Sequence, residues 1–168
     1  DTLRCLDLAK GTELWNFSYD APGRFDHPGS RTTPIVDGTN VYTCGPLGNL
    51  YCISTSTRKP VWNKNIWKDF GGQDLPIWAI TQNPLIYGNL VIVAPQAPDA
   101  GVVAYDKQTG ALKWKSPALS GKVGYVSPSI VKVSGADHLI MITAAEGRGR
   151  TASGGTVYGI DPANGKVL

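Results

Sequence analysis

The side chains that could do chemistry are few and scattered. The two histidines, His27 and His138, stand far apart. His138 opens a strand-like run and reads as a surface residue, whereas His27 lies in the loop Gly23–Arg31, ahead of an extended segment. Of the three cysteines, Cys5, Cys44 and Cys52, at least one has no partner within the chain, and no C-x-x-C spacing points to zinc or to a thioredoxin-like couple. All three fall in strand-like runs and are expected to be small buried hydrophobes. A serine-hydrolase elbow, a Walker loop, an H-E-x-x-H pair and an EF-hand loop are missing. Glu146 to Arg150 with Gly154-Gly155 could cradle an anion, but reads better as a connection between two strands of the last repeat. Asn16-Phe17-Ser18 fits a glycosylation sequon by pattern alone. No metal site is expected.

What must position these residues is a repeat. Leu6-Asp7-Leu8-Ala9-Lys10-Gly11-Thr12-Glu13-Leu14-Trp15 aligns with Tyr105-Asp106-Lys107-Gln108-Thr109-Gly110-Ala111-Leu112-Lys113-Trp114. A third copy, Ile160 to Leu168, carries Asp161 and Gly165 and ends one residue before the matching Trp position. A weaker copy keeps Trp62 but has Ser54 and Arg58 in place of Asp and Gly. Each element has a physical task. The Asp side chain can accept backbone N–H groups two and three residues on, closing a turn. The Gly supplies a positive φ without a Cβ clash. The Trp opens the next strand and can fill a wedge between neighbouring sheets.

Upstream strands recur in the same phase. Thr33-Pro34 to Thr43 matches Asn83-Pro84 to Val93, and Ser127-Pro128 to Lys132 followed by His138 to Thr143 is the third version. The tryptophans Trp15, Trp62 and Trp114 lie 47 and 52 residues apart, a period suited to four-stranded blades rather than helical solenoids. The predicted fold is all-β: a propeller fragment of about three and a half four-stranded antiparallel blades. One partial domain is expected over 1–168, with blades near 1–17 (partial), 31–65, 81–116 and 125–168 (incomplete). Only 66–80 is ambiguous, and Gly71-Gly72 argues for a loop there. Because so few blades cannot close a ring and protect its edges, the natural protein is expected to be longer, with seven or eight blades; two copies completing one ring is the alternative.

Composition narrows the partners. Sixteen Lys and Arg against thirteen Asp and Glu give a net charge of +3, and the lysines are dispersed, which argues against nucleic acid. No run approaches the ~20 apolar residues of a membrane span. Twenty Gly and twelve Pro punctuate short strands rather than long helices.

The repeat resembles the pyrroloquinoline-quinone repeat, or quinoprotein-like, propellers, whose signature reads roughly G-x-V-Y-A-x-D-x-x-T-G-x-x-x-W. Ala100 to Trp114 follows it closely, and Gly154 to Leu168 follows it without the Trp. The resemblance spans nearly the whole chain and extends to the BamB-like barrel-assembly lipoproteins and, more distantly, to quinoprotein alcohol dehydrogenases. It implies a bacterial, periplasmic or otherwise extracytoplasmic protein, most of whose relatives bind no quinone.

Two functions follow as expectations. The first is a non-catalytic binding or assembly scaffold with no cofactor, meeting a protein or small ligand at a propeller face. The alternative is part of a quinoprotein alcohol or sugar dehydrogenase using pyrroloquinoline quinone and Ca²⁺. That reading has no adjacent cysteine pair to support it, and only Trp78 is a plausible stacking residue. Loops entering the inner strands form one mouth of the channel. Three residues before each inner-strand Pro stand Arg31, Thr81 and Tyr125; Arg24, His27, Asp74 and Trp78 complete the candidate rim. No catalytic residue is expected.

Overall fold

The computed structural model describes residues 1–24, 29–145 and 154–168. Among the described residues fourteen strands form four antiparallel sheets, and the helical element is one 3-10 turn at Lys68–Phe70. β1 (Thr2–Leu6) and β2 (Glu13–Ser18) make a hairpin. β3 (Ile35–Asp37), β4 (Asn40–Cys44), β5 (Asn49–Ser54) and β6 (Pro60–Asn65) make a meander in chain order. β7 (Leu85–Tyr87), β8 (Leu90–Val93), β9 (Val103–Asp106) and β10 (Leu112–Lys115) repeat it.

The last sheet departs from that plan. Its central strand, β13 (Ala136–Ala144), carries β14 (Thr156–Ile160) on one side. On its other side lie β12 (Ser129–Val133) and, further along the same edge, β11 (Lys122–Val123). The inner strand expected to start at Ser127 is therefore preceded by a second piece. The register runs from Val123 opposite Thr143 to Ser129 opposite Ile140, so residues 124–128 bulge outward. Gly121 and Gly124 permit the close approach: a Cβ at Gly121 would sit 2.7 Å from the Ala144 carbonyl, and one at Gly124 would strike that of Ile142. Residues 146–153, between β13 and β14, and His27 lie outside the described residues.

The signature turns are built alike. The N–H groups of Ala9 and Lys10 donate to Asp7 Oδ1 at 2.9 and 2.8 Å, and those of Gln108 and Thr109 to Asp106 Oδ1 at 3.1 and 3.0 Å. The Ala163 N–H donates to Asp161 Oδ1 at 2.9 Å. In each turn the Gly N–H returns to the Asp carbonyl at 2.8–2.9 Å. In the degenerate copy Ser54 Oγ takes the Asp role toward the Thr57 N–H at 3.2 Å, and Arg58 holds φ +60°, a left-handed conformation rare for a residue with Cβ.

Packing is between sheets. In β8 and β9, Val91, Val93, Val103 and Tyr105 face the preceding sheet, while Ile92 and Ala104 face the following one. A strand buried on both faces reads as a continuous apolar run, as these do. Trp62 reaches the next blade's turn. Its ring covers Gly110, where a Cβ would lie 2.8 Å away, and its indole N–H donates to the Lys107 carbonyl at 3.1 Å. The Trp114 ring likewise covers Gly165, where a Cβ would lie 2.4 Å away, but its buried indole N–H has no hydrogen-bond partner among the described residues. The Trp of one repeat and the Gly of the next are one contact. Cys44 and Cys52 are buried in this core, as expected; Cys5, on β1 opposite Trp15, is only half-buried, although it lies on the less exposed face of this two-stranded hairpin.

Candidate functional site

The connection from β6 to β7 is long enough to carry structure of its own, and Asn65 organises its start. Asn65 Oδ1 accepts the N–H groups of Trp67 and Lys68 at 3.2 and 2.9 Å, and its own N–H donates to Asp69 Oδ2 at 3.2 Å. The 3-10 turn that follows ends at Gly71, φ +81°. Trp67 lies buried below, its indole N–H donating to the Gln73 carbonyl at 3.3 Å. A side chain at Gly72 would collide with that ring, so the chain leans directly on it.

From this base, residues 73–77 form a ridge between two clefts. One, of about 500 Å³, has Arg24, Lys68 and Asp74 among its lining. The other, of about 550 Å³, runs to Gln96, Lys122 and Tyr125. Trp67, Asp74, Leu75, Pro76 and Ile77 are common to both. Past the ridge stands Trp78, 41% exposed, with the Arg31 guanidinium carbon 6.0 Å from its ring centre. The Trp78 N–H donates to the Tyr125 hydroxyl at 3.3 Å. The loop is fixed by unusual backbone: Ala79, Gln96 and Tyr125 hold φ of +58°, +48° and +55° without being glycine. Such conformations persist only where surrounding contacts over-determine them.

Those contacts come from two glutamines. Gln82, 2% exposed, donates through Nε2 to Gln96 Oε1 at 3.2 Å and accepts the Thr81 N–H at 3.2 Å. Gln96 Oε1 also accepts the Gly124 N–H at 3.0 Å, tying three loops together. The residue before each inner-strand Pro adds a second tie between blades. The Thr33 N–H donates to Asn83 Oδ1 at 2.7 Å, and the Asn83 N–H to Ser127 Oγ at 2.9 Å.

Of the rim residues expected from sequence, Arg31, Trp78 and Tyr125 come together in one cluster. Arg24 and Asp74 share the first cleft, and Asp74 and Tyr125 the second. Thr81 sits under the loop rather than on the rim, its hydroxyl buried without a hydrogen-bond partner among the described residues. His27 lies outside the described residues. Sequence reading passed over Gln82, Gln96 and the pre-Pro series. A polar acceptor ahead of Pro34, Pro84 and Pro128 was the available signal for the series; nothing in the sequence marks the positive φ of Gln96.

Nucleophilic chemistry has little footing here. Burial pushes the Cys44 thiol up to about 12 and the Cys52 thiol to about 11, so both stay protonated at neutral pH. Among the described residues no three His, Cys, Asp or Glu side chains gather as cation ligands. What the mouth offers is an exposed indole, a guanidinium, a phenol and an apolar ridge.

The family described as outer membrane protein assembly factor BamB matches residues 1–168. Quinoprotein alcohol dehydrogenase PedH of Pseudomonas putida is 25% identical over 170 residues, covering 100% of this chain and 27% of PedH. Quinoprotein ethanol dehydrogenase of Pseudomonas aeruginosa is 25% identical over 171 residues, covering 96% of this chain. The chain thus spans about a quarter of the length of these curated relatives, 27% and 25%. Among solved structures, BamB from Moraxella catarrhalis superposes with a TM-score of 0.66 at 18% identity, over 99% of this chain and 45% of that one. A europium-containing methanol dehydrogenase gives 0.58 at 15% identity, over 99% and 37%.

Proposed function

The chain belongs to the outer membrane protein assembly factor BamB family, and from that premise we propose that it is part of a non-catalytic, extracytoplasmic propeller whose loop mouth docks a protein partner. The carrying observation is the Arg31–Trp78–Tyr125 cluster. Trp, Tyr and Arg dominate the hot spots of protein interfaces, because each combines a large contact area with a polar handle. Here the Trp78 backbone is held by its N–H bond to the Tyr125 hydroxyl and by left-handed Ala79 and Tyr125, so little backbone ordering remains to be done on binding. Ile77, 66% exposed, and Val126, 40% exposed, extend the apolar surface beside it.

The likeness to PedH and the ethanol dehydrogenase favours a second reading, in which the chain is a segment of a quinone-dependent dehydrogenase. Its described residues do not fit that group. Trp62 and Trp114 are committed to packing between blades, and Cys44 and Cys52 are separate buried thiols paired across strands with Leu50 and Tyr42. No set of cation ligands converges among the described residues. Only Trp78 has an exposed face suited to stacking.

Titration of the full-length protein with pyrroloquinoline quinone and Ca²⁺, followed by absorbance and dye-linked alcohol oxidation, separates the two readings. No saturable change and no turnover are expected. Saturable binding with turnover would replace docking by catalysis.

A further inference from the structure

We propose that Asn164–Gly165, in the signature turn of the last sheet, is a deamidation site that the Trp114 contact holds closed, so that its conversion records separation of the last two sheets. The inference is independent of the docking reading. Asn164 is the sole asparagine of the chain followed by glycine. Glycine puts no side chain in the way of its own nitrogen and has the backbone freedom that cyclisation needs. In the reaction the Gly165 nitrogen attacks Asn164 Cγ, and the new N–Cγ bond forms as Cγ–Nδ2 breaks. The Gly165 amide proton leaves with the side-chain nitrogen as ammonia. One water then opens the cyclic imide at either carbonyl, leaving aspartate or isoaspartate. Water is the only co-reactant, and Asn164 is exposed to it.

In the closed turn every reacting atom is tied. Asn164 Nδ2 donates to Asp161 Oδ2 at 2.8 Å, and Asn164 Oδ1 accepts the Lys166 N–H at 2.9 Å. The Gly165 N–H donates to the Asp161 carbonyl at 2.8 Å, which commits the nucleophile to the turn. Cyclisation requires rotation about the Asn164 Cα–C bond, and that rotation swings Gly165. Gly165 holds φ +78° so close against the Trp114 ring that a Cβ there would collide with it. Trp114 is itself buried, so the ring blocks the swing until the two sheets part. The other turns with this contact geometry carry no such group, since Thr109 precedes Gly110 and Lys10 precedes Gly11.

The product does not refit the turn. A carboxylate at 164 sets like charge against Asp161 Oδ2, where the Nδ2 bond stood. Isoaspartate adds a methylene to the main chain inside the turn that the Asp161 N–H closes on the Lys166 carbonyl at 2.8 Å. A transient opening thus becomes a lasting mark.

To test this, the full-length protein is incubated at pH 8 and 37 °C and digested. The peptide containing Asn164 is followed by mass spectrometry, with chromatographic separation of the two products. Wild type is expected to deamidate at least about tenfold more slowly in buffer than in concentrated urea, where the turn is open. This comparison needs no variant, and equal rates overturn the lock. Trp114→Phe, which withdraws the part of the ring nearest Gly165, should raise the rate in buffer at least about threefold. Trp62→Phe, the same change at the contact over Gly110, should leave it unchanged. Circular dichroism verifies that both variants are folded. No acceleration by Trp114→Phe, or equal acceleration by both substitutions, overturns the Trp114 contact as the gate.

Discussion

Alanine substitution at the repeat glycines separates two costs that the three turns combine differently. Gly11, Gly110 and Gly165 hold φ of +67°, +70° and +78°, so each substitution carries the left-handed strain of roughly 1–2 kcal/mol. At Gly11 nothing lies within 4 Å of the new Cβ, and strain is the whole effect. At Gly110 the Cβ would sit 2.8 Å from the Trp62 ring, where ordinary contact begins at 3.4 Å. The ring must therefore retreat, loosening its 3.1 Å hydrogen bond to the Lys107 carbonyl in the same turn. Overpacking of this kind adds about 1–3 kcal/mol. Gly11→Ala should thus cost about 1–2 kcal/mol and Gly110→Ala about 2–5 kcal/mol. Urea titration of the full-length protein, followed by tryptophan emission and circular dichroism, measures both. Equal losses at the two sites would refute the ring-on-glycine contact as the link between blades.

Other perturbations probe the same framework. Trp114→Ala should cost about 3–5 kcal/mol, the range for deleting a large buried aromatic; a loss below about 1 kcal/mol on denaturation would show that the ring does not join the last two sheets. Thiol labelling at pH 8 should modify Cys5 quickly and Cys44 and Cys52 only after unfolding, since only Cys5 is part-exposed and the other two titrate near 12 and 11. Because those two thiols keep their protons in the fold above the ordinary value of 9.0, stability is full below pH 9 and should fall as pH rises toward 11–12, which thermal melts across that range would register. The Asp106 carboxyl is held below the usual carboxylate range, chiefly by the Thr109 N–H, so its turn should weaken as pH falls below about 4. Asp106→Asn, which keeps an acceptor, should melt closer to wild type than Asp106→Ala.

The blades were legible because their signals are local and repeated. Asp, Gly and Trp at fixed offsets state a turn closure, a positive φ and a packing ring, and the turn hydrogen bonds follow directly from those residue types. Ser54 and Arg58 show how far the pattern stretches: a hydroxyl replaces the carboxylate, and a strained non-glycine holds the same φ. The partner of each Trp was not legible, since the contact joins Trp62 to Gly110 across two different repeats. Nor was β11, because its pairing depends on two glycines passing close to carbonyls of a strand some twenty residues later. The mouth was half-legible. Offsets from Pro34, Pro84 and Pro128 gave Arg31, Thr81 and Tyr125 as rim candidates; Arg31 and Tyr125 lie beside Trp78, whereas Thr81 lies beneath the loop beside the Gln82–Gln96 bond. Long-range hydrogen bonding and backbone strain decide that placement, and neither has a sequence period.

Site-specific photo-crosslinking in the native host cells tests the docking claim most directly. Ile77 beside the mouth and Val157 on β14 are equally exposed, at 66% and 65%, so accessibility alone cannot distinguish them. A benzophenone side chain at position 77 should yield one discrete protein adduct that disappears with Trp78→Ala, and position 157 should yield none. Adducts of equal yield at both positions, or an adduct at 77 that survives the loss of Trp78, would contradict the mouth as the docking site.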